Sequence, residues 1–380
     1  MDVSITGVGM TRFESDAQAS TLELAERVAW DALEDAEIDS SAVESVHVGN
    51  MAAEALDSRT GLENAVCGAL GIEGATADRI ENTSASGASA LLRAVDAIRA
   101  GRSRTALVVG VETMSSVDTD TATDVISSLT HDREYVQGLT LPSFAGLAAD
   151  AYLERYDADR EALAAVAVKN HRNATVNPYA QFQKEVTLDE ALKSPPVAEP
   201  LRLYDCCPTS DGAAAVVLTA DGDGEVQLSA IEGATGSHAV AERADPLEIE
   251  SVALAGERAM ARASISHEDV DVACIHDAFT ILELLELEEL GFYDNGQAWR
   301  ATLDGRTDRG GELPVNPGGG LKARGHPLGA TGVSQVIELV WQLRGDAPGE
   351  GRQLDDPDVG LAINVAGFGN NSICTIVKRA

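Results

Sequence analysis

The chain has 380 residues, with 28 Lys and Arg against 62 Asp and Glu, and a formal net charge of −34. That balance excludes general nucleic-acid binding and docking on anionic lipid, both of which need a basic surface. It does not mark a disordered chain, because 44% of the residues are hydrophobic and fall in periodic segments.

The first ten residues, MDVSITGVGM, read as a strand and lack the basic start of a leader sequence. Over 21–50, Leu22, Ala25, Val28, Ala29, Ala32 and Leu33 recur at helical spacing, and the strand VESVHVG follows. The segment from Ser84 to Gly110 predicts a small-residue turn, a helix and a strand. Residues 115–205 break this pattern and read as a loop-rich insertion holding helices such as SFAGLAADAYLERY; insertions of this kind usually carry a binding surface. ADGDGE at 220–225 reads as a hinge, which divides the chain into halves 1–222 and 223–380. In the second half Leu247, Val252, Ala255, Ala259 and Met260 mark a helix, and the strand DVDVACI follows. From His326 the order turn, helix, strand returns and ends in VGLAINVAGFG. Repetition of the same order points to duplication of one α/β unit. Alternating strands and helices predict mostly parallel sheets, and the helices starting near Ala85 and Pro327, apolar on several sides, belong between two of them.

Four segments carry candidate chemistry. NPGGGLKARGHPLGATG, residues 316–332, packs six glycines and two prolines around His326. CIHDAFT, 274–280, puts His276 and Asp277 where a strand meets its loop, the place where α/β sites form. ENTSASGASALL, 81–92, sets Ser84 just before a helix, in the pseudo-repeat position of His326, where free N–H groups stabilise an anion. In INVAGFGNNS, 363–372, Gly367 and Gly369 can bring backbone N–H groups to the site. Each taken singly also fits a plain helix cap or turn.

Together and in order, with LRLYDCCPTSDGAAAVVL at 201–218, these segments resemble the thiolase family over nearly the whole chain. HDAF in place of NEAF resembles its sterol-carrier-type and archaeal branch. The resemblance implies a five-layer αβαβα fold built from two duplicated halves. It implies acyl transfer with Claisen condensation or its reverse, on a coenzyme A thioester substrate and without a permanently bound cofactor. It implies a homodimer or a dimer of dimers, together with a small OB-fold, zinc-ribbon-type partner chain. The catalytic set it implies is Ser84, His276 and His326, with Gly367 and Gly369 at the oxyanion. Phe144, Phe279, Asn316, Lys322, Arg324 and Phe368 are assigned to substrate.

Two departures stand out. The family's nucleophile is a cysteine in the slot that Ser84 occupies, and its usual second cysteine in a C-terminal CxG turn is replaced here by NVAGFG. Ser84 therefore reads as a natural nucleophile served by His326, as an engineered Cys→Ser trap, or as the mark of a non-catalytic acyl-CoA or lipid-binding relative. A serine in this slot resembles some haloarchaeal ketothiolase large subunits. With the second cysteine absent, His326 is also the candidate base for the α-proton.

Charge and cysteine content complete the expectations. Only five basic residues are lysines (Lys169, Lys184, Lys193, Lys322 and Lys378), a pattern of halophilic proteins whose self-repulsion salt screens. Coenzyme A is itself polyanionic, so Lys169, His171, Arg172 and Lys184 in the insertion, with Lys322 and Arg324 in the glycine-rich segment, are the expected local cations. Five cysteines, two of them adjacent, and no apolar run of roughly 18 residues point to a cytoplasmic protein without a membrane span. No CxxC or HExxH spacing supports a metal site.

Overall fold

The fold was analysed in a computed structural model that describes residues 2–220 and 224–380. The N-terminal half runs β1 (Val3–Met10), α1 (Thr21–Asp35), β2 (Ser45–Gly49), α2 (Ala53–Leu56), α3 (Leu62–Leu70), β3 (Thr76–Ile80), α4 (Ser86–Arg99) and β4 (Thr105–Thr113). The insertion holds α5 (Thr119–Ser127), α6 (Asp132–Tyr135), α7 (Leu141–Tyr156), α8 (Glu161–Ala174), α9 (Leu188–Lys193), β5 (Pro196–Ala198) and β6 (Leu201–Arg202). It is thus largely helical rather than loop-rich. β7 (Asp211–Ala220) returns to the sheet. The second half follows as β8 (Val226–Thr235), α10 (Glu250–Ala263), β9 (Val272–Cys274), α11 (Thr280–Glu289), α12 (Ala298–Leu303), α13 (Leu328–Arg344), β10 (Val359–Ala366) and β11 (Asn371–Arg379). Residues 221–223 of the expected hinge, and with them the 222/223 boundary, lie outside the described residues.

Local signals explain the elements that frame the site. α1 starts at a reciprocal cap, with the Ser20 hydroxyl accepting from Glu23 N–H and the Glu23 carboxylate accepting from Ser20 N–H. It buries Leu24, Ala25, Val28, Ala29, Ala32 and Leu33 along one stripe. α13 is buried all round from Leu328 to Leu343, as an inter-sheet helix must be.

Nine strands are linked in the order β3-β2-β4-β7-β1-β8-β11-β10-β9. The two halves read outward from a seam where, among the described residues, β1 meets β8 through the pairs Ser4 with Gln227 and Ile5 with Val226. Each side repeats the other, and the parallel bridge between Ala273 and Val315 stands where β3 stands beside β2. α1 covers the outer face of the first half-sheet and α10 that of the second, while α4 and α13 fill the space between. The result is five layers, αβαβα.

The sheet is mixed rather than mostly parallel. β2 runs parallel to β3 and β4, and β9 to β10, but β7 and β11 are antiparallel to both of their neighbours. β11 follows β10 through the tight turn Gly367–Asn370, and so short a link joins only antiparallel strands. β7 returns from the long insertion in the same sense.

The middle layer is closed by backbone contact. A Cβ on Gly87 would lie 2.5 Å from Gly329 O, and one on Gly110 would lie 2.4 Å from the same atom. A Cβ on Gly329 would meet Val111 O at 2.4 Å. There is no flexible side chain to yield, so overpacking strains the whole layer. Gly329→Ala and Gly87→Ala are each expected to destabilise by about 1–3 kcal/mol or more in denaturant titration. Gly68→Ala, in α3 with nothing within 4 Å of a new Cβ, should be neutral or stabilising.

Candidate active site

The glycine-rich run leads into α13 and sets His326 beside β9's continuation, which carries His276. Their rings lie 5.0 Å apart, edge to face at 84°. His326 N–H donates to Ser210 Oγ at 2.9 Å, and Ser210 Oγ donates to Gln181 Oε1 at 2.6 Å. His326 Nδ1 lies 2.7 Å from Thr331 Oγ1, whose own proton goes to Pro327 O at 2.9 Å. The threonine hydroxyl has no second proton to give, so it accepts from Nδ1–H and leaves Nε2 bare. His276 is set the opposite way. Asn364 Nδ2 lies 3.0 Å from its Nδ1, and an amide nitrogen only donates, so the ring proton sits on Nε2. His276 N–H is itself held by Glu286 Oε2 at 2.9 Å.

Burial keeps both rings neutral. Desolvation, then the nearby Arg324, lowers His326 to about 3. Desolvation, then His326, takes His276 well below its usual value. One imidazole is thus a proton acceptor at Nε2 and the other a donor at Nε2–H.

Ser84 sits in the short 3₁₀ turn Thr83–Ala85 ahead of α4 and is 3% exposed. The turn is tight: Thr83 has φ 47°, a left-handed conformation costly for a threonine. Ser86 Oγ pins it, accepting from Asn82 N–H at 2.9 Å and donating to Thr83 O at 2.6 Å. Ser84, His276, His326 and Gly367 line one cavity of about 150 Å³. Among the described residues Ser84 Oγ makes no hydrogen bond, so serine and imidazoles share a cavity without being bonded to one another. The insertion closes the cavity with Ile126 and Ser127 of α5 and Leu141 and Pro142 of α7, and Phe279, Cys206 and Cys207 line it too. Among the described residues no carboxylate does.

Several expected substrate contacts lie elsewhere. Lys322 and Arg324 are each 2% exposed, because the run Gly320–Arg324 tucks under α8. Arg324 donates to Ser334 O at 3.2 Å and sits over the Phe13 ring. Asn316 braces the site from below, donating to Glu283 Oε2 at 2.9 Å and accepting from Ile275 N–H at 2.9 Å. Phe144 and Phe368 stack on each other 6.1 Å apart and do not line the cavity. Gly369 is turned away, its carbonyl accepting from Ser251 Oγ at 2.9 Å. Of the insertion's cations, Lys169 is buried against Glu283 at 3.1 Å and His171 is buried as well. Arg172 pairs with Asp308 at 2.8 Å, which leaves Lys184 exposed.

Asp277 is a brace rather than a reactant. It accepts from Leu321 N–H and Asn170 Nδ2, each at 2.7 Å, and so ties the HDAF turn to the glycine-rich run. Desolvation, then Glu283, pushes it up to about 6. The residues that sequence reasoning did not single out are Ser210, Thr331, Asn364 and the Cys206–Cys207 pair. Thr331 had a signal, since it follows His326 by five residues in the first turn of a predicted helix. Asn364 and the cysteines lay inside segments that stood out, but only the fold brings them to the HDAF turn, Asn364 from the neighbouring strand and Cys207 through its N–H to Ala278 O. Among the described residues no group of three His, Cys, Asp or Glu is placed to hold a metal ion.

Comparison with known proteins agrees with this geometry. Residues 3–222 match the thiolase N-terminal domain, and residues 233–379 match the thiolase C-terminal domain-like family. The acetyl-CoA acetyltransferase of Methanothermobacter thermautotrophicus is 37% identical over 384 residues, covering 100% of both chains. Sterol carrier protein 2 of Homo sapiens is 34% identical over 407 residues, covering 99% of this chain and 72% of its own. The Ltp2-ChsH2(DUF35) aldolase superposes with a TM-score of 0.85 at 25% identity, covering 100% of this chain and 98% of the other. Matched in both halves and over its full length, the chain belongs to the thiolase family and is an acyltransferase of that family.

Proposed function

We propose that the chain is an acetyl-CoA C-acetyltransferase that joins two acetyl-CoA to acetoacetyl-CoA, or cleaves the product with CoA, through an acyl ester on Ser84. The observation that carries this reading is the opposite tautomers of two dry histidines around a buried serine. His326 Nε2 takes the Ser84 proton as Oγ attacks the thioester carbon. The Ser84 N–H and the Gly367 backbone hold the oxyanion. The C–S bond breaks, and the CoA sulfur leaves with the proton from His326. A cavity of about 150 Å³ holds about five waters' volume, which suits a two- to four-carbon acyl group.

The wider setting follows from the surface. β3 is an open sheet edge with exposed alternate residues, which suits pairing with a second copy. A small OB-fold, zinc-ribbon-type partner chain is part of this proposal, and a DUF35 component in the name of a close structural neighbour supports it. All five cysteines are free, in keeping with a cytoplasmic site. Salt serves an acidic shell of net charge −34 twice, by screening its self-repulsion and by letting anionic CoA approach.

Incubation with labelled acetyl-CoA should place an ester on Ser84 by peptide mass spectrometry, and Ser84→Ala should lose both label and turnover. Label on another residue, or full activity in that variant, refutes the mechanism. CoA binding with neither label nor thiolysis would instead mark a non-catalytic subunit.

His326→Ala should lower turnover by about 10²–10⁴-fold. With His326 held at about 3, the base stays unprotonated, so the acid limb of kcat/KM should lie well below pH 6. The sign for stability is the same. Unfolded histidine takes a proton near 6.5, so the contribution is full above that value and is lost as pH falls from 6.5 toward 3. A rate limb at 6.5 would show the ring to be solvated.

Activity should hold in molar salt and fade on dialysis into dilute buffer. A fold and rate indifferent to salt would count against the halophilic reading.

A further inference from the structure

The cavity offers few groups able to take a proton from carbon. No carboxylate lines it, and among its described residues the candidates are His276, His326, Cys206 and Cys207. His276 is spent, because Nδ1 accepts from Asn364 and Nε2 carries the proton. His326 Nε2 serves Ser84. The Cys206 thiol donates to Arg202 O at 3.6 Å. The Cys207 thiol has no such partner, while its backbone N–H is fixed to Ala278 O at 2.8 Å, directly after His276 and Asp277.

Lys322 lies on the other side of the HDAF turn, its backbone N–H reaching Asp277 Oδ2 at 3.4 Å. It is 2% exposed, and its ammonium makes neither hydrogen bond nor ion pair among the described residues. Burial lowers its pKa, while Asp205, Asp277 and any thiolate on Cys206 or Cys207 act the other way. A buried cation favours a further anion forming beside it. The two thiols are the groups on the cavity wall where one can.

Resting on the acyl-Ser84 reading, we propose that Cys207 is the base that removes the α-proton of the second acyl-CoA, with Lys322 as the positioning cation that stabilises its thiolate. In condensation the Cα–H bond breaks and an S–H bond forms. The electron pair passes into the enolate, whose oxygen faces His276 Nε2–H. The enolate carbon bonds to the acyl carbon, and the Oγ–C bond to Ser84 breaks. Ser84 regains the proton that Cys207 received, so none is gained or lost. In thiolysis the same thiol returns a proton to carbon. Burial pushes the Cys207 thiol up to about 12, with Lys322 pulling the other way. The resting group is therefore a thiol, ready for cleavage; for condensation it first gives its proton to solvent, so the condensation rate should climb with pH.

Two rates separate the roles: exchange of acetyl between acetyl-CoA and labelled CoA, which needs only Ser84 acylation, and condensation to acetoacetyl-CoA. Cys207→Ala should lower condensation by about 10²–10⁴-fold relative to the exchange. Lys322→Met should move the rise of condensation with pH to higher pH and leave the exchange unmoved. Normal condensation in Cys207→Ala, or exchange and condensation falling together in both Cys207→Ala and Cys207→Ser, overturns the assignment. Absence of both exchange and Ser84 label in the unaltered protein overturns the acyl-serine reading instead.

Discussion

The structure depends on backbone-to-backbone packing in its middle layer. Gly87 of α4, Gly110 of β4 and Gly329 of α13 let two helices and a sheet approach closer than any side chain allows. That approach removes water from the start of α13, where His326 sits, and from the turn before α4, where Ser84 sits. A neutral imidazole follows from burial alone, because the charged form cannot recover its hydration there. Packing density thus becomes proton affinity.

Charge is distributed to the same end. The chain carries a net −34, yet the cavity is lined without a carboxylate. Acidic groups near the site lie one layer down. Glu283 pairs with Lys169, Asp277 accepts from the glycine-rich run, and Glu286 holds the backbone of His276. They fix the positions of reacting groups without presenting an anion to an anionic substrate. Burial pushes Glu286 well above the usual carboxylate range.

Much of this could be read from local pattern. The helical stripes of α1 and α10, the all-round apolar character of α13, and the repetition of turn, helix and strand needed only periodicity. Ser84, His276, His326 and Gly367 stood out because small residues and glycines gather where backbone and reactant meet. Strand direction was not legible, since antiparallel return is set by a four-residue turn in one half and by a long insertion in the other. Lys322, Arg324 and Asn316 misled for a related reason. Composition marks a lysine as a surface cation, and only the fold shows that the run carrying it passes beneath α8.

The narrow seam between β1 and β8 has a consequence for how the protein fails. Among the described residues two pairs join the half-sheets, so the halves keep their mutual alignment chiefly through the α4 and α13 layer. Ser84 belongs to one half, while both histidines and the Gly367 turn belong to the other. A slip of a fraction of an ångström along that joint would part serine from imidazole while each half kept its own core. Catalysis is therefore the most sensitive gauge of alignment in the molecule, lost under mild stress before any strand unpairs.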